Sequence, residues 1–280
     1  MFGNVGGTKV YWIVVGILGA IAFIWTVPTI FMVSLSLQSD QDLIISTANM
    51  ALGLIPWPFT IENYVRLLSY DDTPRWFLNS IIVACCSTAL VLILSSAAGF
   101  AFARLKFVGR DVLYAFVLAG MMIPAEGVFI SLYTMFADWK LHSTYFSLIS
   151  PNLALPLGTI LMTRFFKGIP KELEDAAEVD GASLWTIYSK IMIPMSLPAL
   201  TTLGIVTFLW TWNSYLWPLV TAQSKEMYTV TVGLASTQQG YIDENTGRIM
   251  AQGVIASFPV VVLFLVFQRY LVRGIVLQSK

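Results

Sequence analysis

Six long apolar runs decide what this chain can fold into. They lie near residues 10–36, 77–103, 112–137, 145–166, 199–221 and 250–272, and each reaches the roughly 20 residues that a helix needs to cross a bilayer. The runs are continuous rather than alternating every second residue, so they specify helices and not the strands of a barrel. Composition agrees with this reading. Hydrophobic residues make up 57% of the chain and charged ones 11%, whereas an ordinary soluble domain carries about 25% charged residues. The formal net charge is zero, so no basic field draws nucleic acid, and lipid becomes the surrounding medium. The expected fold class is an all-α integral membrane protein with six transmembrane helices.

The first run is read as a retained helix rather than a cleaved leader. Lys9 alone precedes it among basic residues, and no small-x-small cleavage site ends it. It is also longer than the apolar core of about 7–15 residues that such leaders carry. Basic residues then orient the helices. With both termini in the cytoplasm, the inner set is Lys9, Arg104, Lys106, Arg110, Arg164, Lys167, Lys171, Lys190, Arg269, Arg273 and Lys280. The outer set is Arg66, Arg75, Lys140, Lys225 and Arg248, a split of 11 to 5. The short turn carrying Arg104, Lys106 and Arg110 weighs most, because short loops obey the positive-inside rule best.

The polar stretches between the runs narrow the function. No Gly-rich phosphate loop is present, so energy for any uphill movement must come from elsewhere. His142 alone cannot build a multi-histidine metal site. It sits on a short outer link, where solvent is expected to reach it. Cys85 and Cys86 lie side by side within an apolar run and read as small helix residues.

Residues 167–198 carry the densest signal. Pro170 suits a first helical turn. Glu172, Glu174 and Asp175 favour that helix's positive end, and Leu173, Ala176 and Ala177 share one face. Beyond Gly181, the residues Leu184, Ile187, Tyr188 and Ile191 repeat at helical spacing. Gly181 parts the two helices, either as a bend or as a point of close backbone approach, and Pro194 and Pro198 end the second. The segment reads as an amphipathic hairpin with an acidic face at the membrane surface.

The spacing within this hairpin resembles the cytoplasmic loop signature of permease subunits of bacterial binding-protein-dependent ABC importers. That signature runs E-A-A, three residues, Gly, nine residues, Ile-x-Leu-Pro. Here Asp175-Ala176-Ala177 is followed after three residues by Gly181, and after nine more by Ile191-Met192-Ile193-Pro194. Asp replaces the leading Glu and Ile replaces Leu. Further segments resemble the carbohydrate-uptake branch, the group of the maltose-transporter permeases: Asn79-Ser80, Gly99 to Arg104, Ile123-Pro124, Phe166 with Ile169 to Leu173, and Trp212-Asn213.

The resemblance implies a MetI-like permease core in the bacterial cytoplasmic (inner) membrane. Residues 1–76 would hold the first helix and an outer loop, 77–272 the core, and 273–280 a cytoplasmic tail. The hairpin becomes a coupling helix for an ATPase, with Glu174, Asp175, Ala176, Ala177, Glu178, Asp180, Gly181, Ile191 and Pro194 as its site residues. The implied partners are a second permease, two cytoplasmic ATPase subunits, an external solute-binding protein and a carbohydrate. ATP and magnesium would sit on the ATPase, with no cofactor on this chain, which is not itself an enzyme. A permease for peptides or amino acids is the alternative within the same class.

Other candidates carry two readings each. Glu126 lies deep in the third run, where a carboxylate faces a cavity or a partner, unless the span is shifted and it meets water. Trp210, Trp212, Asn213 and Trp217 crowd the end of the fifth run, either as sugar-stacking residues on the path or as an interfacial aromatic belt. Tyr241, Asp243, Glu244 and Asn245 lie in a polar outer loop, which by resemblance would dock the binding protein and as plain chemistry is only a flexible polar loop. Pro151, Pro156 and Gly158 are expected to kink the fourth span.

Overall fold

Every apolar run becomes helical, and prolines stand at the breaks in the third and fourth runs. A computed structural model of the chain describes residues 8–39, 59–69, 72–238 and 246–277. Helix α1 (Thr8–Ser36) continues through Pro28. A short helix α2 (Glu62–Ser69) precedes α3 (Thr73–Arg104), which is unbroken. The third run splits into α4 (Arg110–Gly120) and α5 (Ala125–Asp138), because Pro124 holds the chain extended at φ −66° and ψ 136° and has no amide to donate.

The fourth run is bent by 46° between Tyr145–Leu153 and Pro156–Lys167. It comprises α6 (Tyr145–Ile149), a tight turn at Ser150–Leu153, and α7 (Pro156–Lys167), as its prolines lead one to expect. The loop helices α8 (Glu172–Val179) and α9 (Leu184–Ile187) follow. The fifth run forms α10 (Leu197–Trp212) and α11 (Leu216–Thr221). Then come α12 (Val230–Gln238) and α13 (Thr246–Leu277), the latter passing the expected boundary at 272.

Among the described residues, three helices are long and apolar enough to cross a membrane, or five if each of two bent pairs counts as one span. The expected span at 112–137 is not one such helix, and the physical reason is the break ending at Pro124.

The chain forms two compact units, Met1–Pro74 with Leu234–Phe258, and Arg75–Gly233 with Pro259–Lys280. In the first unit, the Asn63 side chain donates to the carbonyls of Ser36 and Gln38 at 3.0 and 2.9 Å. Gln252 donates to Thr73 Oγ1 and accepts from Thr237 Oγ1. Apolar side chains along α1 lie exposed, Trp25 by 80%. An outer face this apolar fits acyl chains as its cover.

The second unit has a core of Phe100, Met162, Phe166, Ile169, Ile187, Met192, Ala199 and Leu203. Two glycines let α3 and α7 touch. A Cβ at Gly99 would lie 2.6 Å from Met162 Cβ, and one at Gly158 would lie 2.5 Å from Ser95 Oγ. Small residues permit this backbone approach where both partners are otherwise apolar.

The ends of α3 are held by different loops. At its start, Asn79 is buried and donates to the carbonyls of Glu226 and Tyr228 at 2.8 and 2.9 Å, while Tyr145 Oη donates to Asn79 Oδ1 at 2.7 Å. Trp76 Nε1 donates to the Lys225 carbonyl, and Ser80 Oγ accepts from the Val230 amide. The link after α5 joins the same end of the unit. There Ser143 Oγ accepts from the amides of Gln223 and Ser224, and His142 packs 4.8 Å from the Tyr133 ring. His142 is therefore half-buried with both ring nitrogens shielded from solvent, and not solvated as its place on a polar link suggests. The other end of α3 meets the loop that follows α7.

Candidate functional site

That loop is built by local rules legible in the chain. Glu172, Glu174 and Asp175 occupy the first turn of α8, where carboxylates meet the helix's positive end. Helix α8 closes at Gly181, whose φ is +79°. The Ala182 amide donates to the Ala177 carbonyl at 2.9 Å, and the Gly181 amide to the Glu178 carbonyl at 3.0 Å. These two bonds form a Schellman motif, with glycine at its left-handed position. A Cβ at Gly181 would meet nothing within 4 Å, so within this chain the glycine serves a bend and not a close approach. Ser183 then caps α9 by accepting from the Thr186 amide at 3.2 Å.

Beyond α9 the helix relaxes into a π turn at Tyr188–Met192, ends with the turn Ile193–Met195, and meets α10 at 75°. Ile191 is half-buried in the π turn, while Pro194 is exposed within the last turn and does not itself end the helix.

The polarity of α8 departs from the expected pattern. Leu173 and Ala176 face outward, whereas Glu174 is buried and Ala177 packs on the core. The cause is Arg104, the last residue of α3. Its Nε lies 2.5 Å from Glu174 Oε1, and the two side chains are only 11% and 9% exposed. The contact is a close ion pair rather than an aligned hydrogen bond. Arg104 Nη2 also donates to the Ile169 carbonyl. Burial pushes the Glu174 pKa up, and the facing Arg104 pulls it only partly back.

A second tie lies nearby, where Tyr188 Oη and Ser96 Oγ of α3 share a hydrogen bond at 2.8 Å. Neither tie was apparent in the sequence. An arginine ending an apolar run seventy residues before an acidic helix was the available hint, and it reads equally well as a positive-inside charge.

The outward surface of the loop is mixed. Asp175, Glu178, Asp180 and Gly181 are exposed, and Asp175 pairs with Lys171 at 3.3 Å. Leu173, Leu184, Val179 and Trp185 are exposed too, the last two by 88% and 72%. Apolar side chains beside acids, outside the apolar runs, make a surface suited to a protein partner.

The remaining candidates scatter. Glu126 is exposed in the first turn of α5. Trp212 is buried against Phe77 and Phe208. Trp210 is exposed, and Asn213 donates to its own helix at the Leu209 carbonyl. Trp217 lines a cleft of about 780 Å³ with Phe129, Phe136, Trp139 and Phe146, where Ser150 Oγ is buried without a hydrogen-bond partner. The docking-loop residues Tyr241, Asp243, Glu244 and Asn245 lie outside the described residues.

The described residues form a helical chain with apolar outer faces and a hairpin anchored to the end of α3. Residues 89–277 match the profile of the binding-protein-dependent transport system inner membrane components, and the chain belongs to that family. It is 32% identical over 256 residues to an arabinooligosaccharides transport system permease protein of Halalkalibacterium halodurans, with 91% of each chain covered. It is 34% identical over 266 residues to a trehalose/maltose transport system permease protein of Thermococcus litoralis, covering 92% of this chain and 93% of that one. In fold it resembles a chain of a bacterial ABC transporter that imports alginate, with a TM-score of 0.82 at 23% identity, covering 95% of this chain and 99% of that one.

Proposed function

We propose that this chain is the inner-membrane permease subunit of an ABC importer for a carbohydrate, forming half of the translocation pathway. Membership of the family and relatives named for arabinooligosaccharides and for trehalose and maltose support that substrate class. The observation that carries the coupling role is the hairpin after α7. It keeps the spacing from Asp175 through Gly181 to Pro194, is tied to α3 from within, and turns Val179 and Trp185 outward. An ATPase groove seats on that surface, while a second permease completes the pathway and an external binding protein delivers the solute. ATP and magnesium stay on the ATPase.

Six spans are the arrangement this reading requires, with the broken third and fourth runs each crossing once and both termini in the cytoplasm. Trp217 and the rings around it offer flat apolar faces for the CH face of a sugar, and Ser150 and Asn152 offer hydroxyl partners. Glu126 stands near the break in the third run as a polar group on the path.

Purification of the tagged chain from its native membrane tests the proposal. An ATPase and a second permease are expected to copurify, and the external protein encoded beside them is expected to bind an oligosaccharide. A chain that brings no ATPase, or a binding protein selective for peptides or amino acids, would overturn it.

A further inference from the structure

Helix α3 is fastened at both ends to loops that follow it in sequence. At one end Trp76, Asn79 and Ser80 hold the segment 225–230 through four hydrogen bonds. At the other, Arg104 holds Glu174 and the Ile169 carbonyl, and Ser96 holds Tyr188. Between these joints α3 runs without a proline or a break, and it abuts α7 at Gly99 and Gly158 closely enough to exclude a Cβ. A helix pinned in this way moves as one body, because packed elements shift as units rather than deforming continuously. The hairpin's other exit is less direct. It leads through a π turn and a 75° bend into α10, so no single straight helix continues from it.

We infer that Arg104 and Glu174 are positioning residues that deliver displacement of the hairpin into α3, and through Asn79 to the 225–230 segment at its far end. This rests on the coupling role proposed above but adds the route. The pair is intramolecular and largely buried, so Glu174 does not offer its carboxylate to an ATPase. Its charge is spent on holding α8 against the end of α3. The acids left for a partner are Asp175, Glu178 and Asp180.

The test uses the complex copurified with its ATPase, in liposomes, with this chain carrying Lys225→Cys in a background lacking Cys85 and Cys86. Maleimide labelling at residue 225 is measured with and without trapping by Mg-ADP-vanadate. In the parent, trapping is expected to change the labelling rate. Glu174→Gln should retain the ATPase and its hydrolysis while that change is lost, and Arg104→Lys, which keeps the charge, should recover most of it. The pair Arg104→Gln with Glu174→Gln removes both charges and so avoids stranding one. It should unfold at the parent's temperature yet transmit no better than Glu174→Gln. Arg66→Gln breaks an exposed ion pair and should behave as parent.

A labelling change that persists in both Glu174→Gln and the double variant would overturn the inference, as would a parent that hydrolyses ATP without any change at residue 225. A parent that recruits no ATPase would instead fail the proposed function itself.

Discussion

At Gly181 the backbone, and not the neighbours, sets the residue. With φ at +79° and open space where a Cβ would stand, any L side chain there pays the left-handed penalty of about 1–2 kcal/mol regardless of its size. Gly181→Ala and Gly181→Leu should therefore loosen the loop equally in the isolated chain, and Gly181→Asn should loosen it less. Amide exchange across residues 176–182 would check this. A much larger effect of Leu than of Ala in the isolated chain would point to crowding instead; if the proposed coupling role holds, that same difference is expected in the ATPase complex, where a groove would supply the crowding.

Glu174 gives a pH signature of unusual sign. Folding raises its pKa, so the native chain takes up the proton before the unfolded one does. Its contribution to stability therefore grows as pH falls through the raised value, and levels off below the ordinary glutamate value of about 4.3. The thermal midpoint of the wild-type chain in detergent, minus that of Glu174→Gln, should rise as pH falls through that window. A difference that falls with pH would mean that Arg104, not burial, dominates the site.

At the scale of elements, the sequence was most informative where a rule is local. The acidic first turn of α8, the glycine closing it and the bend in the fourth run all follow from capping and proline chemistry. Residues 167–198 were legible as a hairpin because every signal there acts within a few positions. What the sequence hid was pairing at a distance. Nothing near Glu174 says that Arg104 will bury it, so an amphipathic reading turns the acid outward and Leu173 inward. The reverse is observed. Asn79 likewise resembled a family segment without showing that it clamps residues 226 and 228.

Glycines in long helices were also ambiguous, and structure separates them. Gly99 meets Met162, whereas Gly16 and Gly19 on α1 meet nothing within 4 Å. Gly99→Ala should lower the thermal midpoint of the purified chain, at a cost of about 1–3 kcal/mol for forcing α3 and α7 apart. Gly19→Ala should leave the midpoint unchanged or raise it slightly through helix propensity. Equal responses at the two sites would mean that α3 and α7 do not pack at the separation described.

For the whole molecule, the decisive question is whether the broken third run crosses the membrane or dips in and returns. Helices α4 and α5 have 11 and 14 residues, which at about 1.5 Å per residue rise about 37 Å, against a hydrocarbon core of about 30 Å. Length thus permits a crossing despite the break. Placement within the second unit supports one. The run starts beside the end of α3 that carries Arg104, and the link after it bonds through Ser143 to residues 221–224. Those residues adjoin the segment held by Trp76 and Asn79 at the opposite end of α3. A re-entrant loop would have returned to the Arg104 end. The basic residues agree, since the turn with Arg104, Lys106 and Arg110 is the denser one. In a background lacking Cys85 and Cys86, a membrane-impermeant maleimide should therefore label Lys140→Cys and Lys225→Cys only from outside, and Ser183→Cys only from the cytoplasm. Labelling of Lys140→Cys only from the cytoplasm and of Ser183→Cys only from outside would make the third run re-entrant and reverse every helix that follows it.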